Sequence, residues 1–135
     1  MKTPRFMLDT NILSAVIKRP QSPLAERILE ADPDSLCTSI IVSAELRFGA
    51  QRRGSDALTA KVEALLEEIE VLPLGAEADR HYARVRTTLE RQGTPIGSND
   101  LLIAAHALAL DCTLVTDNLR EFSRVPGLRT ENWLA

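Results

Sequence analysis

Ser98-Asn99-Asp100-Leu101-Leu102-Ile103-Ala104-Ala105-His106-Ala107-Leu108-Ala109-Leu110-Asp111-Cys112-Thr113-Leu114-Val115-Thr116-Asp117 carries the two signals that decide the architecture. Few polar residues interrupt the Ala-rich run from Leu101 to Leu110. Such a helix is apolar almost all round and predicts a core element packed on a sheet. The run Thr113 to Thr116 then reads as a short buried strand that ends at an acid. A core helix feeding a buried strand is a unit of an α/β fold with a parallel sheet.

Working outward, the same alternation recurs along the chain. Phe6-Met7-Leu8 is a strand candidate ending at Asp9, and Asn11 to Lys18 a first helix. Pro20 to Pro23 breaks it, Leu24 to Ala31 forms a second, and Asp32-Pro33-Asp34 turns the chain. Leu36 to Thr38 is a second strand. Ser39 to Arg52 is a helix whose apolar positions are Ile40, Ile41, Ala44 and Phe48. Gly54-Ser55-Asp56 stops it and caps the next, Ala57 to Glu68. Val71-Leu72 is a third strand, Glu77 to Gln92 a long Arg- and Glu-rich helix, and Gly93-Thr94-Pro95 its end. A short helix, Leu119 to Phe122, follows the fourth strand, and Leu128 to Trp133 adds a fifth. The expected fold is one α/β domain over 1–135, a central parallel sheet of four to five short strands flanked by helices. Sites in such sheets form at the carboxyl ends of the strands, near the switch in strand order.

Composition narrows the function. The chain has 135 residues, enough for one real core without disulfide staples. Apolar residues make up 44% and charged residues 26%, the proportions of a globular protein. Met1 to Leu8 is too short, and too soon followed by Asp9, for a signal peptide, and no apolar run reaches membrane length; the expected location is the cytoplasm. A net charge of −3 argues against holding nucleic acid by bulk positive charge. It leaves room for a nuclease, because clustered carboxylates subtract charge where a substrate reacts. The groups Arg47, Arg52, Arg53 and Arg80, Arg84, Arg86, Arg91 read as solvated helix faces. Cys37 and Cys112 lack metal-ligand spacing and read as buried, inert thiols.

Four acids stand out by position. Asp9 ends the first strand, Asp100 lies in the first turn of the Ala-rich helix with Ser98 as its expected cap, and Asp117 follows the fourth strand. Glu45 lies on a helix face whose i−4 and i+3 neighbours are Ile41 and Phe48, with no basic residue at helix spacing to pair with it. Each has a plain structural alternative: a helix cap for Asp9, a helix-dipole partner for Asp100, a turn for Asp117, a solvated edge for Glu45. Their joint placement resists that. Converging carboxylates repel unless a cation bridges them. Hard oxygen ligands suit Mg²⁺ or Mn²⁺, whose chemistry suits phosphodiester hydrolysis.

Leu8-Asp9-Thr10-Asn11, Val42-Ser43-Ala44-Glu45-Leu46, the segment Pro95-Ile96-Gly97-Ser98-Asn99-Asp100, and Leu114-Val115-Thr116-Asp117-Asn118 resemble, in order and spacing, the successive motifs of PIN-domain ribonucleases. Within that group the chain is most similar to the VapC toxins of toxin–antitoxin pairs. The Pro-Ile-Gly-Ser-Asn-Asp segment and the Val-Pro-Gly-Leu ending resemble the branch that cuts initiator tRNA in its anticodon stem-loop. The resemblance implies an acidic tetrad of Asp9, Glu45, Asp100 and Asp117, with Asp117 at the most variable position. Thr10, Asn11, Ser43 and Thr116 would orient ligands or water. It also implies a homodimer and a VapB-type antitoxin, whose C-terminal segment would lie over Leu24–Ala31 and Ala57–Glu68.

Rival readings fare worse. A dehalogenase-type phosphatase wants a second acid two residues after Asp9, where Asn11 stands. A receiver domain wants a lysine after a late strand, and the lysines are Lys2, Lys18 and Lys61. A pure binding module has no need of clustered acids. His81 and His106 lie on different predicted helices, read as solvated and partly buried respectively, and no nucleophile motif accompanies them. Trp133 reads as core or interface rather than as a base-stacking platform.

Overall fold

The structure is a computed structural model that describes residues 5–134. The reading of the opening residues, in so far as it rests on Met1 to Pro4, lies outside them. In chain order the elements are β1 (Phe6–Leu8), α1 (Thr10–Lys18), α2 (Pro23–Glu30), β2 (Leu36–Ser39), α3 (Ile40–Arg53), α4 (Asp56–Glu68), β3 (Glu70–Leu72), α5 (Ala78–Arg91), α6 (Ser98–Leu110), β4 (Thr113–Val115), α7 (Leu119–Phe122) and β5 (Thr130–Glu131). A single 3₁₀ turn, Pro33–Ser35, leads into β2.

The five strands form one sheet of order β3-β2-β1-β4-β5, parallel throughout. Parallel strands covered by helices on both faces read as continuous apolar runs. Accordingly Met7, Leu8, Cys37, Leu114 and Val115 are fully buried. The chain first builds leftward from β1 through β2 to β3, then returns past β1 to place β4 on its other side. The switch in order therefore falls between β1 and β4, whose carboxyl ends are Asp9 and Thr116. The fifth strand is shorter than expected, and the rest of Leu128 to Trp133 is turn and coil.

Helix α6 is the core helix its sequence predicts, with Leu101 and Ile103 to Ala107 buried. Its small residues let it pack closely on α5, which buries Ala78, Val85 and Leu89. The helix is capped by Gly97 rather than Ser98, which is its first residue. It ends at Asp111, whose φ of 55° is left-handed, a conformation rare outside glycine. Arg129 compensates there by donating to the Asp111 carbonyl at 2.8 Å and meeting its carboxylate at 3.1 Å.

Helix α3 corrects the sequence reading. Its buried face is Val42, Ser43, Leu46 and Ala50, not the expected stripe. Phe48 is 64% and Ile40 40% exposed, and Ala44 is exposed with them. The inner face is poor in large side chains, so the bulkier residues of the outer face gave a misleading period. Trp133 is buried, 5.1 Å from the Phe6 ring and under the Arg27 guanidinium at 4.2 Å. Cys37 and Cys112 are neighbouring buried thiols, and the Cys112 sulfur together with burial pushes the Cys37 thiol up. Among the described residues no helix is long and apolar enough to cross a membrane.

Candidate active site

Asp9 is placed by strand pairing: its N–H donates to the Val115 carbonyl at 2.9 Å, and its own carbonyl accepts from Leu13 to begin α1. Its side chain is only 4% exposed. Burial raises its pKa, the Thr116 hydroxyl opposes that rise by donating to Oδ2 at 2.8 Å, and the charges of Glu45 and Asp117 add to it. Glu45 is half-buried at the edge of α3's inner face, not amid an apolar one. It accepts from Thr10 Oγ1 at 2.6 Å and Asn99 Nδ2 at 3.3 Å. Asp100 is half-buried in the first turn of α6, and its pKa is pushed up to about 8 by burial first, then by Glu121, Asp9 and Glu45.

Asp9, Glu45 and Asp100 thus act on one another across the crevice between β1, β4, α3 and α6. Asp117 sits at the exposed rim, where Asn11 Nδ2 donates to it at 3.0 Å. Glu121, from α7, instead packs against Asp100. Its pKa is lowered because the Asp100 carboxyl donates to it, with support from Asn118. Glu121 escaped the sequence reading because Asn118-Leu119-Arg120-Glu121 has the spacing of a helix-capping box, and a glutamate there needs no further explanation. Asn118 ties the group together: its Nδ2 donates to Glu121 at 3.0 Å and Asp100 at 3.4 Å, and its N–H to Thr116 Oγ1 at 3.0 Å. Of the four expected supporting residues, Thr10, Asn11 and Thr116 each donate to an acid. Ser43 is buried on α3 and, among the described residues, donates to none of them.

The charges acting on Asp9 and on Asp100 are all carboxylates. The remaining hydrogen-bond donors to these acids are neutral hydroxyls, amides and backbone N–H groups. All-oxygen donors whose charges raise the pKa of Asp9 and Asp100 fit a hard divalent cation, which would favour the charged forms of those two. Among the described residues no three of them close round one point as they stand.

Beside the crevice runs a cleft of about 230 Å³ between α1, α3 and α4. Thr10 and Glu45 line one end, Ile17, Leu46 and Val62 its floor, and Lys18 and Arg53 the other end. Of the two helices expected to frame a partner groove, α4 lines this cleft and α2 does not. Instead Arg27 of α2 reaches Trp133 and Glu131 at the far edge of the sheet. His81 is on α5 beside Arg84, and His106 is fully rather than partly buried, so neither lines the crevice.

The PIN domain family matches residues 6–128. The chain is 41% identical over 130 residues to a protein of Rickettsia felis named ribonuclease VapC2, spanning 95% of this chain and 97% of that one. It is 38% identical to a tRNA(fMet)-specific endonuclease VapC of Salmonella typhimurium, spanning 96% and 98%. Among solved structures, the VapBC2 complex of Rickettsia felis bound to a fragment of its promoter DNA superposes with a TM-score of 0.87 at 35% identity. That match spans 95% of this chain and 98% of the matched one.

Proposed function

The chain belongs to the PIN-domain family, and on that premise we propose that it is a single such domain over 1–135 acting as a divalent-metal-dependent endoribonuclease, the toxin of a toxin–antitoxin pair. The observation that carries this is the crevice at the switch point, where Asp9, Glu45, Asp100 and Glu121 meet with no basic side chain among the charges acting on Asp9 and Asp100. Asp9, Asp100 and Glu45 would hold Mg²⁺ or Mn²⁺, with Asp117 at the rim and Glu121 behind Asp100. When bound, the cation neutralises charge on the attacked phosphate and makes water a better nucleophile at neutral pH.

The chain's own residues do the rest. Thr116 and Thr10 orient Asp9 and Glu45. Asp100, pushed up to about 8 by burial and by Glu121, must give up its proton to act as a ligand. Neither histidine reaches the crevice to deprotonate a ribose 2′-OH. On this reading water is the nucleophile, and the products carry 5′-phosphate and 3′-hydroxyl ends. A 2′,3′-cyclic phosphate would overturn this.

The relatives named as tRNA(fMet) endonucleases support initiator tRNA as substrate. A cut in its anticodon stem-loop, with inhibited translation as the result, is the further part of the reading. The structural likeness to VapBC complexes supports a VapB-type antitoxin as partner. The α1–α3–α4 cleft, apolar along its floor and acidic at the crevice end, suits a partner segment that ends in a basic side chain. We place the toxin in the cytoplasm as a homodimer. The test is cleavage of purified initiator and elongator tRNAs with Mn²⁺ or EDTA, by wild type and Asp9→Asn. Metal-dependent cutting of initiator tRNA, lost in the variant, establishes the reading. Cutting of a different RNA keeps the nuclease and discards the substrate. No cutting, by folded protein free of antitoxin, refutes it.

A further inference from the structure

His106 is 1% exposed and lies outside the crevice. Its Nδ1 is 2.8 Å from Ser39 Oγ, and that oxygen also caps α3 by accepting from Ile41 N–H at 3.1 Å. Its Nε2 is buried with no well-formed hydrogen bond, facing the Pro73 carbonyl. One arrangement of protons suits all three groups. Ser39 accepts from Ile41 and donates to Nδ1, and Nε2–H points to Pro73. The opposite tautomer would set a lone pair against a carbonyl.

An apolar side chain of the same volume would fill this place without a buried nitrogen short of a partner, which is unfavourable. What histidine adds is direction. Helices α3 and α6 carry Glu45 and Asp100, and among the described residues two polar contacts join them: Asn99 to Glu45 at the crevice and His106 to the Ser39 cap beneath it. Asn99 and His106 are seven residues apart, two turns on one face of α6. The upper contact is exposed and long at 3.3 Å; the lower is buried and short.

We infer that His106 is a positioning residue for the acid crevice: by holding the N-cap of α3 against α6, it sets the angle at which α3 presents Glu45 to Asp9 and Asp100. This rests on the nuclease reading above. A misplacement of about 1 Å at such a site lowers turnover by one to two orders of magnitude.

The test uses full-length His106→Leu, His106→Asn, His106→Gln and Ser39→Ala. Asparagine places a polar atom where Nδ1 lies, and glutamine reaches towards Nε2. His106→Leu is expected to lose about tenfold in kcat with KM for RNA within about twofold of wild type. It should also show a smaller rise in Tm between EDTA and saturating Mn²⁺. His106→Asn should restore both readouts and His106→Gln neither. Ser39→Ala should match His106→Leu, and the double variant should be no worse in kcat than either single one. A His106→Leu protein with wild-type kcat and Mn²⁺ shift overturns the inference. So does equal behaviour of the Asn and Gln variants, or additive losses in the double variant. If His106→Leu fails to fold, the Asn and Gln pair decides. If wild type cuts no RNA, the nuclease reading fails and the Mn²⁺ shifts alone judge His106.

Discussion

Glu63 and Glu121 are the same residue in opposite circumstances. Glu63, on α4, faces the Arg47 guanidinium at 2.9 Å on both oxygens, and the pair stands in solvent. Its carboxylate is lowered by an opposite charge and water surrounds it. Glu121 faces another carboxyl, and its neighbour Asp100 is pushed up to about 8. The first arrangement satisfies itself and contributes little, as exposed ion pairs do. Around Asp9 and Asp100 the charges are carboxylates alone, and the arginine that acts on this group, Arg124, acts on Glu121. That local deficit of positive charge is the chemical opportunity.

The largest test of that contrast is Asp9→Asn. It should reduce RNA cleavage in Mn²⁺ by at least about a hundredfold, read by gel with labelled tRNA, while leaving the fold intact. Next is Asp100→Asn, which should abolish cleavage yet raise the Tm in EDTA by roughly 3–5 °C, because it removes a carboxyl that the fold keeps only by holding a proton on it or by setting it against a like charge. An unchanged or lower Tm would break the comparison.

A finer test sets Glu121→Gln against Asp117→Asn. The carboxyl that touches Asp100 should lose about ten- to a hundredfold in kcat, and the one at the rim less than tenfold. The reverse order would keep the fourth place with Asp117.

The pH dependence of the metal-free protein follows from the sign of the Asp100 shift. A folded pKa above the unfolded one means that the folded state holds the proton more tightly. That stabilising contribution is full below about pH 4 and is lost as pH rises through about 8. Melting in EDTA should therefore show wild type gaining stability from pH 9 to pH 6, with Asp100→Asn gaining less. Smallest of all, Arg47→Ala should move the Tm by under about 2 °C and leave cleavage unchanged, and 0.5 M NaCl should erase even that difference.

Much of the crevice was legible from where acids fall relative to strand ends. Asp9 and Asp100 needed only the alternation of apolar runs and turns, because the carboxyl ends of a parallel sheet are where a site can open. Glu45 was found for a partly wrong reason. The expected apolar face includes Phe48, which is exposed; the inner face is Val42, Ser43, Leu46 and Ala50, where Ser43 and Ala50 give little periodic signal. Glu121 was hidden because Asn-x-x-Glu explains itself locally, and only the packing of α7 against the start of α6 reveals its second neighbour. His106 and Ser39 lie 67 residues apart, and no local pattern joins them.

The contact between Asp9 and Thr116 spans 107 residues, and that between Asn11 and Asp117 spans 106. Asp9 therefore gains its hydroxyl donor, and Asn11 its carboxylate acceptor, only when β4 has paired with β1. A chain in which only β1 to α3 has folded has Asp9 and Glu45 but neither β4 beside β1 nor α7 against α6. Local folding alone cannot assemble the crevice; closing the sheet across β1 and β4 creates it.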